Sequence, residues 1–199
     1  MIGPGRFGPF APLPVPHLRA GALLVAHPSL TDPNFRGTVV LLLNHSDEGS
    51  LGLVLNRPLV SEVGDVLPSW QDHVSEPSSL FQGGPVGLDS AIGLARLPGD
   101  DSEPPGLKRI SGSLAVVDLD APPEIVAPAA AGLRVYAGHS GWGPQQLESE
   151  LDEGAWFVVD GEPGDGFRPD IDTLWRDVLV RQTTTVALVA TFRPDADVN

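Results

Sequence analysis

Thr38-Val-Val-Leu-Leu-Leu-Asn-His-Ser-Asp-Glu-Gly-Ser-Leu-Gly-Leu-Val-Leu55 decides how this chain folds. Residues 39–43 and 51–55 are apolar runs of strand length, and Ser46-Asp-Glu-Gly-Ser50 between them has turn chemistry. The spacing predicts a hairpin, which sets two neighbouring strands antiparallel. That argues against a purely parallel sheet, although strands and short helical segments interleave further along.

Upstream, Ala22-Leu-Leu-Val-Ala26 is apolar without alternation, the pattern of a strand covered on both faces. Asp32-Pro33-Asn34 has Asp at i and Pro at i+1, as a type I turn requires. Downstream, residues 91–97, 114–117, 133–137 and 155–159 read as strands, 183–190 as a β-rich segment and 98–106 as a loop. Val63, Val66 and Leu67 recur at helical spacing over 62–67. Pro144 suits the first position of a helix with Leu147 and Leu151 inside and Gly154 at its end. The best-marked helix has Asp170 as N-cap, with Ile171, Leu174, Trp175, Val178 and Leu179 along one face. Residues 20–199 therefore read as one α+β domain with a mixed sheet, and residues 1–19 as a flexible Pro/Gly-rich leader.

Composition narrows the function classes. The absence of cysteine removes disulfides, thiolate nucleophiles and cysteine-type zinc or iron–sulfur sites. The net charge is −14, and only Lys108 is a lysine. Between residues 145 and 173 nine carboxylates face a single arginine, Arg168. Autonomous nucleic-acid binding is not expected, because it draws its affinity from lysine and arginine stripes on phosphates. Apolar runs are strand-sized, far short of a membrane span, and the first twenty residues carry prolines in place of a signal-type apolar segment. A cytoplasmic protein with no membrane partner is the expectation.

The segment Val135-Tyr-Ala-Gly-His-Ser-Gly-Trp-Gly143 resembles a nucleophile elbow, a serine flanked by glycines between a strand and a helix. Trp142 occupies the elbow's last glycine position, and no histidine follows Ser140. A second reading makes the turn an anion site at a helix start, but no basic residue accompanies it. The preferred reading is a turn in which Gly138, Gly141 and Gly143 allow close packing while Trp142 fills the core. On that reading Ser140→Ala is tolerated, whereas Trp142→Ala or Gly141→Val destabilises. Phe81-Gln-Gly-Gly-Pro85 could be a binding loop, but two glycines ahead of a proline read first of all as a tight turn. His45 and Asp47 lack the paired spacing of metal ligands, so no metal site is expected. Arg36 and Arg57 either hold a ligand carboxylate or pair with carboxylates of the chain itself. Trp70, Trp142, Trp156 and Trp175 are expected as core or interface anchors.

Taken in order, Gly21-Ala-Leu-Leu-Val-Ala26, Asp32-Pro-Asn-Phe35, Leu51-Gly-Leu-Val-Leu-Asn-Arg-Pro58, Gly83-Gly-Pro-Val86, Gly138-His-Ser-Gly-Trp-Gly-Pro144, Gly154-Ala-Trp156 and Leu174-Trp175 resemble the AlgH/YqgE family. The resemblance implies a bifurcated sheet, partly closed as a small barrel and surrounded by helices. It implies no established enzymatic activity, no cofactor and no assigned catalytic residue; some members are described as transcriptional regulators. The expectation is a non-catalytic binding or regulatory protein acting through a protein partner or small ligand. Its candidate binding residues are Asn56, Arg57, Gly83, Gly84, Gly138, Gly141, Trp142 and Gly143. The alternative is an enzyme or small-anion sensor using a cleft between those three loops.

Overall fold

Pleat alternation explains why the first strands are apolar at every position. In the computed structural model, which describes residues 17–99, 103–182 and 186–191, β1 (Ala22–Ala26) is buried throughout. Leu23 and Val25 point into one core cluster, and Ala22, Leu24 and Ala26 into another on the opposite face. The next strand, β2 (Val39–Ser46), sorts in the same way, with Val39, Leu41 and Leu43 on the first face and Val40 and Leu42 on the second. Each valine or leucine taken out of water on either face stabilises by about 1.5–3 kcal/mol.

The expected hairpin joins β2 to β3 (Gly49–Val54), with Ser46 opposite Gly49 and His45 opposite Ser50. Two further strands lie outside the main path: β4 (Pro58–Glu62), and β5 (Ser79–Gln82), which pairs with it. Then come β6 (Val86–Arg96), β7 (Leu107–Ser111), β8 (Leu114–Val117), β9 (Gly132–Trp142) and β10 (Trp156–Asp160). The main path runs β10-β1-β2-β3-β9-β6-β8-β7. The result is a mostly antiparallel sheet curled into a half-barrel with a few helices.

The strand that organises the sheet is β9. Along one edge it pairs with β6. Its other edge is divided: Tyr136 and Ala137 pair in parallel with β5, and Ser140 to Trp142 pair antiparallel with β3.

Among the described residues four short α-helices accompany the sheet: α1 (Pro123–Val126), α2 (Gln146–Asp152), α3 (Leu174–Val180) and α4 (Val186–Val189). The first core face is closed by α3 and the turn before it, through Ile171, Leu174, Trp175, Val178 and Leu179. The second is closed by α2 through Leu147, with Trp142 and Trp156 beside it. A third cluster centres on Trp70, whose indole N–H donates to the Leu119 carbonyl at 3.1 Å.

Several local expectations are corrected. The segment 138–142 is not a turn but the end of β9, because His139 pairs with β6 and residues 140–142 with β3, Gly138 taking up an irregularity at φ +66°. The β-rich residues 186–189 form α4, and residues 183–185 lie outside those described. Helical backbone packs Val189 and Ala190 against the first cluster, and tertiary packing overrides a β-propensity that is only a weak preference. Pro144 precedes the cap of α2, which is Gln145 in the left-handed region at φ 60°. Over 62–67 only Val63–Asp65 is helical, as a 3-10 turn, and Val66 points into solvent. Of the leader, residues 1–16 lie outside the description; Leu18 packs on the second cluster and Arg19 pairs with Asp160.

Asp170 stands at the N-cap, as expected, of a 3-10 turn (Ile171–Thr173) that leads into α3, but its carboxylate is taken by Arg168 at 2.9 Å and caps no backbone N–H. Arg168 also reaches Asp177 at 2.6 Å, and the Thr173 hydroxyl donates to the same Asp177 oxygen at 2.7 Å. The Thr173 hydroxyl first, and Arg168 with it, holds the Asp177 carboxyl below the usual carboxylate range. A depressed folded value stabilises the fold above the unfolded value of about 3.9, and the gain is lost as pH falls through the folded one. The melting-temperature gap between wild type and Asp177→Asn should therefore be widest near neutrality and shrink below about pH 4. A gap that is constant from pH 7 to 3 would show that the network does not stabilise the fold.

Candidate functional site

At Gln82 the chain must leave one edge of β9 and reappear on the other as β6, so its backbone crosses directly over another backbone. No side chain fits there. A Cβ on Gly83 would lie 2.4 Å from the Gly138 carbonyl oxygen, and one on Gly84 2.3 Å from the His139 carbonyl. Gly138, at φ +66°, would place its Cβ 2.7 Å from the Val86 carbonyl oxygen. The crossing is sealed by hydrogen bonds. The Gly83 N–H donates to the Ala137 carbonyl at 2.8 Å, and the Gly83 carbonyl accepts the Val54 N–H at 2.8 Å.

Ser140 belongs to the same seal. It sits within β9 opposite Gly52, is 0% exposed, and donates its hydroxyl to the Gly83 carbonyl at 3.1 Å. An elbow serine stands at the end of a strand with its oxygen free; this one is buried mid-sheet with its proton committed. Ser140→Ala leaves the Gly83 carbonyl its Val54 partner, so it should cost about 1 kcal/mol or less in a denaturant titration. A loss of several kcal/mol would give the hydroxyl a larger role.

The remaining candidate residues are not part of the crossing itself, although the Arg57 carbonyl accepts the Gln82 N–H at its start. Gly141 is exposed, and a Cβ there would meet nothing nearer than His139 Cδ2 at 3.9 Å. The expectation that Gly141→Val destabilises is therefore corrected. Gly143 donates its N–H to the Gln146 side chain at 3.0 Å, at the start of α2. Trp142 is buried, stacked on Phe35 with centroids 6.0 Å apart and edge-on to Trp156. Both indole N–H groups donate to one oxygen of Glu150, at 2.9 and 2.8 Å, which ties α2 to the sheet. Trp142 thus acts as a packing anchor.

Asn56 also serves the fold. Its amide donates to the Gly37 carbonyl at 2.9 Å and accepts the Val39 N–H at 3.0 Å, fixing the start of β2. Arg57 extends from the same turn, and its guanidinium donates to the Arg36 carbonyl at 2.7 Å. Neither Arg36 nor Arg57 pairs with a carboxylate among the described residues. Gly83, Gly84 and Gly138 are thus brought together, as packing, while Trp142 and the Asn56–Arg57 pair occupy other positions. An open depression of about 330 Å³ lies elsewhere, lined by residues that include Leu107, Lys108, Val116 and Asp118.

Two arrangements went unread in the sequence. Arg134 is buried, donates to the carbonyls of Gly166 and Glu76 at 2.8 Å each, and lies 4.3 Å above the Phe81 ring. Burial lowers its pKa and raises that of the neighbouring Tyr136 hydroxyl. Its alternation with Leu133 and Val135 hid an inward-facing charge. The second arrangement sits on the hairpin, where His45 Nδ1 lies 2.8 Å from the Ser50 hydroxyl and Nε2 3.7 Å from a Glu148 carboxylate oxygen. Hairpin register would have placed His45 opposite Ser50. Among the described residues no three histidine, aspartate or glutamate side chains gather as metal ligands.

Comparison with known proteins agrees on the identity of the fold. A family model described as AlgH-like matches residues 23–187. A UPF0301 protein of Streptomyces coelicolor is 56% identical over 182 residues, covering 90% of this chain and 94% of its own. A UPF0301 protein of Mycobacterium tuberculosis is 43% identical over 184 residues, covering 92% and 91%. A crystal structure from Corynebacterium diphtheriae matches with a TM-score of 0.83 at 33% identity, over 88% of this chain and 93% of that one. The solution structure of the AlgH protein from Pseudomonas aeruginosa matches at 0.62 and 25% identity, over 87% and 94%.

Proposed function

We propose for this chain, which belongs to the AlgH-like family, a non-catalytic binding role exerted through a protein partner. One contrast carries the reading. The groups that resembled a catalytic or anion site hold the fold together, while β4 leaves one edge unpaired among the described residues and turns Val60 wholly into solvent. Apolar side chains on an open strand edge belong to interaction surfaces more than to catalytic ones. A regulatory protein of this kind acts by docking, and its acidic surface makes direct DNA contact an unfavourable route.

Site-specific photo-crosslinkers at Val60, Leu88 and Ile125, all exposed apolar positions, test the reading in cells. A discrete protein adduct from at least one position is expected. No adduct from any of the three would contradict a partner-binding role.

A second reading, acyl transfer, is favoured by one observation, the His45–Ser50 contact. Glu148 near Nε2 favours the proton on that nitrogen, which leaves Nδ1 to accept the Ser50 proton. Ser50 is nonetheless buried within a strand. Ester hydrolysis lost in both Ser50→Ala and His45→Ala would establish this reading over the first.

A further inference from the structure

We infer that the corner formed by Arg36, Arg57 and β4 receives a short, extended, acidic segment of a protein partner. The inference rests on the partner-binding reading and specifies the chemistry of what binds.

The cations come first. In a chain of net charge −14, Arg19, Arg168 and Arg181 each pair with a carboxylate. Arg36 and Arg57 pair with none among the described residues. A guanidinium carries five N–H donors. Arg57 directs one Nη2 contact to the Arg36 carbonyl, and its other donors have no partner among the described residues. That contact also aims the fork. The turn beneath it is rigid, because Asn56 clamps Gly37 and Val39 and the Gln82 N–H donates to the Arg57 carbonyl at 2.8 Å. An arginine held in place before binding loses little side-chain freedom when a carboxylate arrives.

The adjoining strand supplies the second half. Four of the five residues of β4 are exposed, including Val60, and its register to β5 shifts between Pro58 and Glu62. An open edge binds an extended segment through main-chain hydrogen bonds, while alternate side chains set specificity. Pro58 and the shortness of β4 discourage indefinite sheet extension, so the edge suits a short segment. Its apolar residue would meet Val60 and its carboxylates the two arginines. A long polyanion such as nucleic acid is repelled by the rest of the surface, whereas a few carboxylates are not held off so strongly.

The test uses the full chain in its own cells, with p-benzoylphenylalanine at Val60 and the crosslinked peptides mapped by mass spectrometry. The expected adduct is a protein segment with Asp or Glu beside the crosslinked residue. Its yield should fall at least about tenfold in Arg36→Glu/Arg57→Glu and be largely kept in Arg36→Lys/Arg57→Lys. Because Arg57 also holds the Arg36 carbonyl, Arg36→Glu alone is the second variant. The exposed Arg36 side chain makes no hydrogen bond or ion pair among the described residues, so melting should be unchanged while the yield falls. An adduct indifferent to charge reversal, one lacking carboxylates, one to nucleic acid or one to a second copy of this chain would overturn the inference. Adducts at Leu88 or Ile125 with Val60 silent would overturn it while leaving the partner reading intact. Silence at all three would remove both.

Discussion

Gly84→Ala is expected to leave the protein unfolded at 25 °C. The added methyl would lie 2.3 Å from both the carbonyl carbon and oxygen of His139 and 2.5 Å from the Ser140 nitrogen. Those atoms are main chain in β9, which is paired along both edges, so no side-chain rotation relieves the clash. Relief requires separating the crossing from β9, which breaks the Gly83–Ala137 and Ser140–Gly83 hydrogen bonds. The cost should exceed about 4–5 kcal/mol, comparable with the whole stability of a marginal domain. Gly141→Ala is the control in the same strand, since its methyl would enter open space. That variant should stay within about 0.5 kcal/mol of wild type. Circular dichroism and a urea titration of the pair decide the matter; a folded Gly84→Ala variant would show that the crossing is loose.

Trp175→Ala should cost about 3–5 kcal/mol. Trp175 is 5% exposed within the first core cluster, and its indole N–H donates to the Ala26 carbonyl at 2.9 Å. Truncation therefore opens a large cavity and removes a buried hydrogen bond together. Trp175→Phe separates the two losses, because it keeps much of the ring volume and gives up the N–H, a loss worth about 1 kcal/mol. A Trp175→Ala midpoint in urea equal to wild type would place the ring outside the core.

Strong local signals were legible in the sequence. Residues 22–26 and 39–55 gave their strands and turn, because runs apolar at every position are what a sheet buried on both faces requires. The inner face of α3 and the N-cap position of Asp170 were read correctly from the sequence, whereas the capture of the Asp170 carboxylate by Arg168 was not legible. Three strands escaped for physical reasons. Pro58-Leu-Val-Ser-Glu62 starts on proline, Ser79–Gln82 is four residues long, and Leu107–Ser111 contains a basic pair. The first two are held by pairing with strands distant in sequence, which local propensity does not encode, whereas Leu107–Ser111 is held by a hairpin to β8.

The site was legible only as a set of motifs. Glycines at 83, 84 and 138 carried the right signal, close backbone approach, but a single sequence does not distinguish a ligand from another strand as the approaching group. In this fold it is a strand. That Arg36 and Arg57 meet no carboxylate among the described residues was likewise invisible, because ion pairing depends on which carboxylates the topology brings near.

Reaction of the native protein with a fluorophosphonate probe, followed by intact mass and peptide mapping, tests the non-catalytic reading most directly. The buried, hydrogen-bonded Ser140 and the strand-bound Ser50 should both remain unmodified after prolonged exposure. A stoichiometric adduct on either serine, abolished by its replacement with alanine, would contradict that reading and make the protein a serine-type acyl-transfer enzyme.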